Sequence, residues 1–189
     1  ENALQLPNDL ALIGIKDIMK DLESKFPDVE WSPRILFGGL IDAPDKNGET
    51  KSQGPAMGLG IDLLTPGSRE TDRLNLEGSI VRGELPDAQG EALISEMLST
   101  KLGVNPGDRV TLISSTMYGG MTIYNFIVSG TVSMGQDALD RGTIIADIED
   151  VRSALNMEDA AGEITGFFKS GFYNDDLALA YAEKYNVSQ

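Results

Sequence analysis

Apolar residues recur along the chain with two different periods. From Leu12, the residues Leu12, Ile15, Ile18, Met19, Leu22 and Phe26 fall at spacings of three and four. That spacing predicts a helix with one buried stripe, running to about Lys25 and stopped before Pro27. Asn8 and Asp9, just after Pro7, are its N-cap candidates. "VEWSPRILFGGLI" has strand composition with a break at Pro33, and its aromatics read as core. Ala43–Pro55 ("APDKNGETKSQGP") is polar and centred on Asn47-Gly48, which predicts a long hairpin returning through "AMGLGIDLL". Thr65–Asn75 ("TPGSRETDRLN") reads as a surface loop.

The next stretch, "GEALISEMLSTKLGVNPGDRVTLIS", packs several elements closely. Glu91–Ile94 is a short strand. Ser95 caps a two-turn helix expected to bury Met97, Leu98 and Leu102, and Gly103 stands where a left-handed residue ends a helix. In Asn105-Pro106-Gly107-Asp108, proline fixes the first central position of a turn and glycine supplies positive φ at the second, the type II pattern. Val110, Leu112 and Ser114 then share one face of a strand. A hairpin tip follows around Gly119-Gly120, and "IYNFIVSGTV" is the return strand. Gly142–Ala146 is a further strand. Asp147 caps the helix "IEDVRSALN", which buries Val151 and Leu155, and Asp150 stands as an acidic relative of the capping-box residue. "GEITGFF" is a last strand, and Asp175 or Asp176 caps a terminal helix reaching about Tyr185. Strands mixed with short helices place the chain in the α+β class.

Composition narrows the chemistry. The 189 residues contain neither histidine nor cysteine. Histidine-based triads, thiol nucleophiles, disulfides and His- or Cys-ligated metal sites are therefore excluded. Fifteen Lys+Arg against thirty Asp+Glu give a net charge of −15, a surface that repels nucleic acid and anionic lipid. No apolar run is long enough to span a bilayer, and no signal peptide is visible. The chain begins at Glu1, which reads as a piece of a longer protein.

Carboxylates remain as candidate chemistry. Asp137, Asp140, Asp147, Glu149 and Asp150 crowd one region but lack the alternating ligands and central glycine of a calcium loop. They read as helix caps and dipole complements. "GLG" at Gly58–Gly60 and the two "GG" pairs lack phosphate-loop spacing and read as turns or close backbone approaches. Ser95 and Ser99 have no base at helical spacing, Lys101 included. At the tip, Met117, Tyr118 and Met121 either project for partner contacts or fold back on the sheet.

The order of these motifs carries a resemblance. "KLGVNPGDRVTLI", "NFIVSGTV", "DRGTIIADIEDVRSALNMED" and "GEITGFF" in succession resemble the extracytoplasmic domain of ABC transporter permeases of the MacB/FtsX-like superfamily, over about residues 83–168. "ADIEDVRSALN…GEITGF" is most similar to the lipoprotein-releasing (LolC/LolE-type) branch. The resemblance implies a discontinuous, porter-like α/β subdomain from residues 1–82 and 151–189. Residues 83–150 would form the inserted β-rich subdomain that the family calls Sabre. It implies a non-catalytic domain without cofactor or metal, extracytoplasmic, between transmembrane helices that flank Glu1 and Gln189. Its partners would be a cytoplasmic ABC ATPase, a second permease copy, and a periplasmic lipoprotein carrier or adaptor. Its task would be mechanical transmission in lipoprotein release or export. Thr116, Met117, Tyr118, Gly119, Gly120, Met121 and Thr122 match the position of the family's carrier-binding hairpin, here short and without proline. Gly103, Pro106, Gly107 and Asp108 form the structural turn that aims it. A MacB-type efflux domain working with an adaptor, a FtsX-like regulator of cell-wall hydrolases, and, more distantly, a carboxylate-based enzyme are the alternatives.

Overall fold

The computed structural model describes residues 11–45, 47–172 and 174–187. In chain order the elements are β1 (Leu12–Ile13), α1 (Ile15–Lys25), β2 (Val29–Pro44), β3 (Thr50–Ile61), α2 (Glu70–Arg73), α3 (Leu76–Ser79), β4 (Ile80–Gly83), β5 (Glu91–Ser95), α4 (Glu96–Leu102), β6 (Arg109–Ser115), β7 (Met121–Val132), α5 (Asp137–Asp140), β8 (Thr143–Asp147), α6 (Ile148–Leu155), β9 (Ala160–Ala161), β10 (Glu163–Phe168) and α7 (Asp175–Val187). Strands and helices alternate irregularly around a mixed sheet, as the composition of turns and runs predicts.

Six strands close on themselves. β2 pairs with β3, β3 with β8, β8 with β5, β5 with β7, β7 with β6, and β6 returns to β2. The circuit is a small barrel in which β3–β8 and β5–β7 are parallel and the other pairs antiparallel. Closure leaves these strands no long free edge, which removes a template for aggregation. Alternate residues point inward. Ile35, Phe37 and Ile41 of β2 meet Val110 and Leu112 of β6, Phe126 and Val128 of β7, and Ile94 and Ile144. Leu98 and Leu102 of α4, with Val151, Ala154 and Leu155 of α6, join the same cluster. The "GLG" of β3 is what this interior requires. A Cβ on Gly58 would lie 2.0 Å from the Phe37 ring, and one on Gly60 would lie 2.9 Å from Val151. These glycines are close backbone approaches.

Two smaller cores complete the structure. Outside the barrel, Ile61, Leu93, Val132 and Ile145 are covered by Leu76 of α3. At the other end, β10 extends the sheet by pairing with the first half of β2. There Leu22, Phe26 and Val29 pack with Trp31, Phe168 and Tyr181, the Phe26 and Tyr181 rings 4.7 Å apart.

Several sequence expectations are corrected. Leu12 is not on the first helix: it pairs with Ala161, and Gly14 (φ +74) turns the chain so that α1 begins at Ile15. The predicted caps Asn8 and Asp9 lie outside the described residues. Asp159 supplies the cap instead, its carbonyl accepting from the N–H groups of Gly14 and Ile15 and its carboxylate from Lys16. Pro33 does not break β2, because that half of the strand is paired with β10 alone and proline is tolerated where one side is open. Thr65–Asn75 is not a plain loop. It contains α2, and Glu70 is buried. Met97 is 55% exposed, since the two-turn α4 turns its buried side to Leu98, Ser99 and Leu102. Asn174, not an aspartate, caps α7 through Leu177 N–H.

Candidate functional site

β6 is held at its two ends by turns of different character. At its start, Ser95 caps α4 by accepting from Leu98 N–H, and Gly103 (φ +68) ends the helix. Asn105–Asp108 then closes as predicted. Asp108 N–H donates to the Asn105 carbonyl, the Asp108 carboxylate accepts from Asn105 N–H, and Gly107 has φ +94. Gly107 N–H donates to Val128 O and Val128 N–H to Asp108 O, so the turn is bonded to β7. Arg82, from β4, locks the corner. It donates to Glu96 Oε2 at 3.0 Å, to Asn105 Oδ1 at 2.7 Å and to Ser99 Oγ at 2.7 Å. Partial burial pushes the Glu96 carboxyl up, but the Thr131 hydroxyl and the bond and charge of Arg82 outweigh it and hold Glu96 below the ordinary glutamate value. Ser99 donates in turn to Val104 O, so its hydroxyl is structural and has no lysine partner.

At the far end of β6 is the hairpin tip. Thr116 closes it: its N–H donates to Gly120 O, and its hydroxyl accepts from Gly120 N–H. The residues of the tip divide between folding back and projecting. Met117 folds back, its N–H donating to Leu155 O at the end of α6 and its side chain against the barrel core. Tyr118 and Met121 project, 78% and 77% exposed. Thr116 is buried, Thr122 is half-buried, and Gly119 and Gly120 are exposed.

Of the five crowded acids, Asp140, Asp147, Glu149 and Asp150 are bound within the structure, and Asp137 is exposed, 4.0 Å from Arg141. Asp147 caps α6 through Glu149 N–H and also accepts from Leu63 and Leu64 N–H. Asp140 accepts from Met134 N–H and the Ser133 hydroxyl. Asp150 does not complete a capping box. It is buried, and it accepts from Gly90 N–H at 2.8 Å and from the Tyr124 hydroxyl at 3.1 Å, joining α6 to the barrel wall. Burial and the Asp150 charge push the Tyr124 hydroxyl above its ordinary value. A cleft of about 440 Å³ between α2 and α6 gathers Glu30, Asp62, Glu70, Asp147, Glu149 and three arginines. Its central acid, Glu70, is gripped by Arg34 and Arg73, and Arg73 also meets Glu30 at 2.8 Å while its guanidinium lies over Phe167. Glu149 pairs with Arg152. Among the described residues no three acids converge on a point that would hold a metal ion.

One surface was missed by sequence reasoning. The outer side of β2, β6 and β7 carries Leu36, Leu40, Ile113 and Ile123, half-buried or exposed. The signal was available in β7, which carries Met121, Ile123 and Ile127 at one parity and Tyr124, Phe126 and Val128 at the other, although an isolated barrel wall needs only one apolar side.

A mixed α/β domain with a closed six-stranded barrel, capped by short helices and standing on a two-strand extension, defines a class of fold. No family model matches the sequence, and no curated protein matches it significantly. Among solved structures, the fold is similar to the periplasmic region of MacB from Actinobacillus actinomycetemcomitans, with a TM-score of 0.62 and 17% identity, over 95% of this chain and 75% of that one. No helix among the described residues is long and apolar enough to cross a membrane.

Proposed function

We propose that this chain is the extracytoplasmic domain of an ABC transporter permease and works as a mechanical lever rather than as an enzyme. The observation that carries the reading is the fold likeness to a MacB periplasmic region along nearly the whole chain. The motif order from Gly83 to Phe168 supports it independently. Strands from both proposed segments, 1–82 with 151–189 and 83–150, share the barrel, as in β2–β6 and β3–β8. A porter-like base and an inserted β-rich part joined in this way would move together, which suits transmission of force from membrane helices. The carboxylates of the cleft are bound to arginines or backbone N–H groups, which favours a non-catalytic role over acid–base chemistry.

In this reading a cytoplasmic ATPase drives the membrane helices, a second permease copy completes the transporter, and the Thr116–Thr122 tip meets a periplasmic carrier or adaptor. Lipoprotein release is the favoured task, from the "ADIEDVRSALN…GEITGF" resemblance. The coding sequence on either side of this segment tests the proposal. An apolar run of about twenty residues is expected on each side, with an ABC ATPase gene adjacent. Polar flanks on both sides would sink the reading.

A further inference from the structure

The two-strand extension meets the barrel through charge, whereas each unit is held internally by apolar packing. Among the described residues, the cluster of Leu22, Phe26 and Val29 on the extension is separate from both clusters of the barrel. β2 crosses from one unit to the other. Its residues 29–34 pair with β10, and from Ile35 onward its partner is β3. The change of partner thus falls beside Pro33. The other crossings are Gly14, between β1 and α1, and Gly162, between β9 and β10. β9 sides with the barrel, since Ala160 belongs to its core. Short steps at the ends of elements are where chains absorb a change of angle.

One strap spans this joint. Leu74 and Leu76, on the segment that holds α2 and α3, pack on the outer core of the barrel. The same segment sends Glu70 and Arg73 onto the extension. The Glu70 side chain is 2% exposed. One of its oxygens accepts from Arg34 Nε at 2.8 Å and the other from Arg73 Nη1 at 2.7 Å. Arg73 also pairs with Glu30 of β2 at 2.8 Å, and its guanidinium lies 3.9 Å from the centre of the Phe167 ring of β10. Glu30 and Phe167 are partners in the β2–β10 register, so the strap grips both strands of the extension. A buried ion network specifies geometry but adds little net adhesion, because desolvation offsets most of its attraction. A joint that only had to be strong would be apolar, as Leu98 is in the barrel core. An ionic joint suits a contact that holds one angle and can release it.

We propose that the network of Arg34, Glu70, Arg73 and Glu30 is a latch on a hinge formed by Gly14, residues 33–35 and Gly162, and that it fixes the angle between extension and barrel. Closed, it makes the two units one rigid body. Open, it lets the extension swing while both units keep their own cores. The latch follows from the joint alone and does not depend on the transporter reading, within which it sets when the lever is stiff.

The chain has no cysteine, so two spin labels can be placed without background. Lys20→Cys on α1 and Asp137→Cys on α5 are exposed positions on the two units. Double electron–electron resonance should give one narrow distance distribution in the labelled parent. Arg73→Met opens the latch gently, because Glu70 keeps Arg34 and Glu30 is 33% exposed. It should broaden the distribution or add a second distance. Amide exchange in β10 and in residues 29–34 should rise at least about tenfold while the barrel strands stay within about twofold. Arg82→Met, which opens an arginine corner inside the barrel, should leave the distance as in the parent. If Arg73→Met does not fold, Arg73→Lys takes its place under the same expectations, since lysine keeps the charge but loses the fork that spans two acids. An unchanged distance in the Arg73 variant would overturn the proposal. So would exchange that rises equally in extension and barrel, which would make the network a plain contribution to stability. The same broadening in Arg82→Met would overturn it too, because the angle would then not be set at this joint.

Discussion

The two turns that bound β6 put similar residues to opposite uses. At Asn105–Asp108 every backbone N–H has a partner: the turn is bonded to β7, and Arg82 ties it to α4. At Thr116–Gly120 the loop is closed by its own threonine, one N–H reaches α6, and two large side chains stand in solvent. Both are glycine turns of a few residues. The difference lies in how many bonds leave the turn. A turn bonded to β7 and, through Arg82, to α4 fixes where β6 starts, and a turn that closes largely on itself leaves side chains free for something outside the chain. Substitutions at the first should therefore be read in stability and substitutions at the second in binding.

The largest effect should come from the helix behind the corner. Leu98 is fully buried in the barrel core. Leu98→Ala should cost about 3 kcal/mol, from lost burial and the cavity left behind, seen as a lower denaturant midpoint with unchanged slope. Tyr118→Ala should stay within about 0.5 kcal/mol of the parent. Equal losses at the two positions would break the comparison.

Gly107→Val should come next, at about 2 kcal/mol. A Cβ there meets nothing within 4 Å, so the cost is the positive φ alone. Gly107→Asn should recover part of it, because asparagine tolerates that region. An unchanged melting temperature in the valine variant would mean that the corner is not the rigid end.

A smaller effect concerns Glu96. Its folded carboxyl is held below the ordinary value, so its contribution is present above the unfolded-state pKa and is lost as pH falls through the lower, folded one. Arg82→Met should raise the Glu96 titration midpoint measured by NMR. It should also lower stability at neutral pH, by a gap that narrows on acidification. A midpoint that does not move would show that Arg82 is not what holds the carboxylate.

What was legible in the sequence had its causes within a few residues. The Ser95 cap, the Gly103 helix stop and the closure of the Asn105–Asp108 turn are each made by bonds between residues no more than five positions apart, and these roles could be read directly. So could the buried face of α6. The illegible features depend on distant partners. Arg34 and Glu70 lie 36 positions apart, Gly90 and Asp150 60, and Ser114 and the Gly38 carbonyl it binds 76. Barrel closure through β2–β6 is of the same kind, since nothing local in either strand names its partner. The tip was legible in place but not in orientation, because Met117 is turned inward by the end of α6. The open wall was overlooked because Leu36, Leu40 and Ile113 look like core when only one parity of each strand is weighed.

The smallest effect on folding, and the most informative for function, belongs to the tip. Tyr118 and Met121 are largely exposed and have little buried area to lose, and the bonds by which Thr116 closes the loop do not involve their side chains. Tyr118→Ala with Met121→Ala should therefore melt within about 1 °C of the parent, given that about 1 kcal/mol corresponds to a few degrees in a domain of this size. On the function proposed above, the same double variant, placed in the full-length protein, should weaken binding of a purified carrier or adaptor. Rim contacts and central anchors differ in this respect, since a projecting aromatic and a flexible thioether at a tip suit adaptable anchoring. Thr116→Ala separates the two causes. It removes the hydroxyl that receives Gly120 N–H and should cost about 1 kcal/mol, loosening the loop while leaving both side chains in place. If binding falls with Thr116→Ala as far as with the double variant, the shape of the loop is what the partner reads. If binding survives the double variant untouched, the exposed end of β6 is not a contact at all.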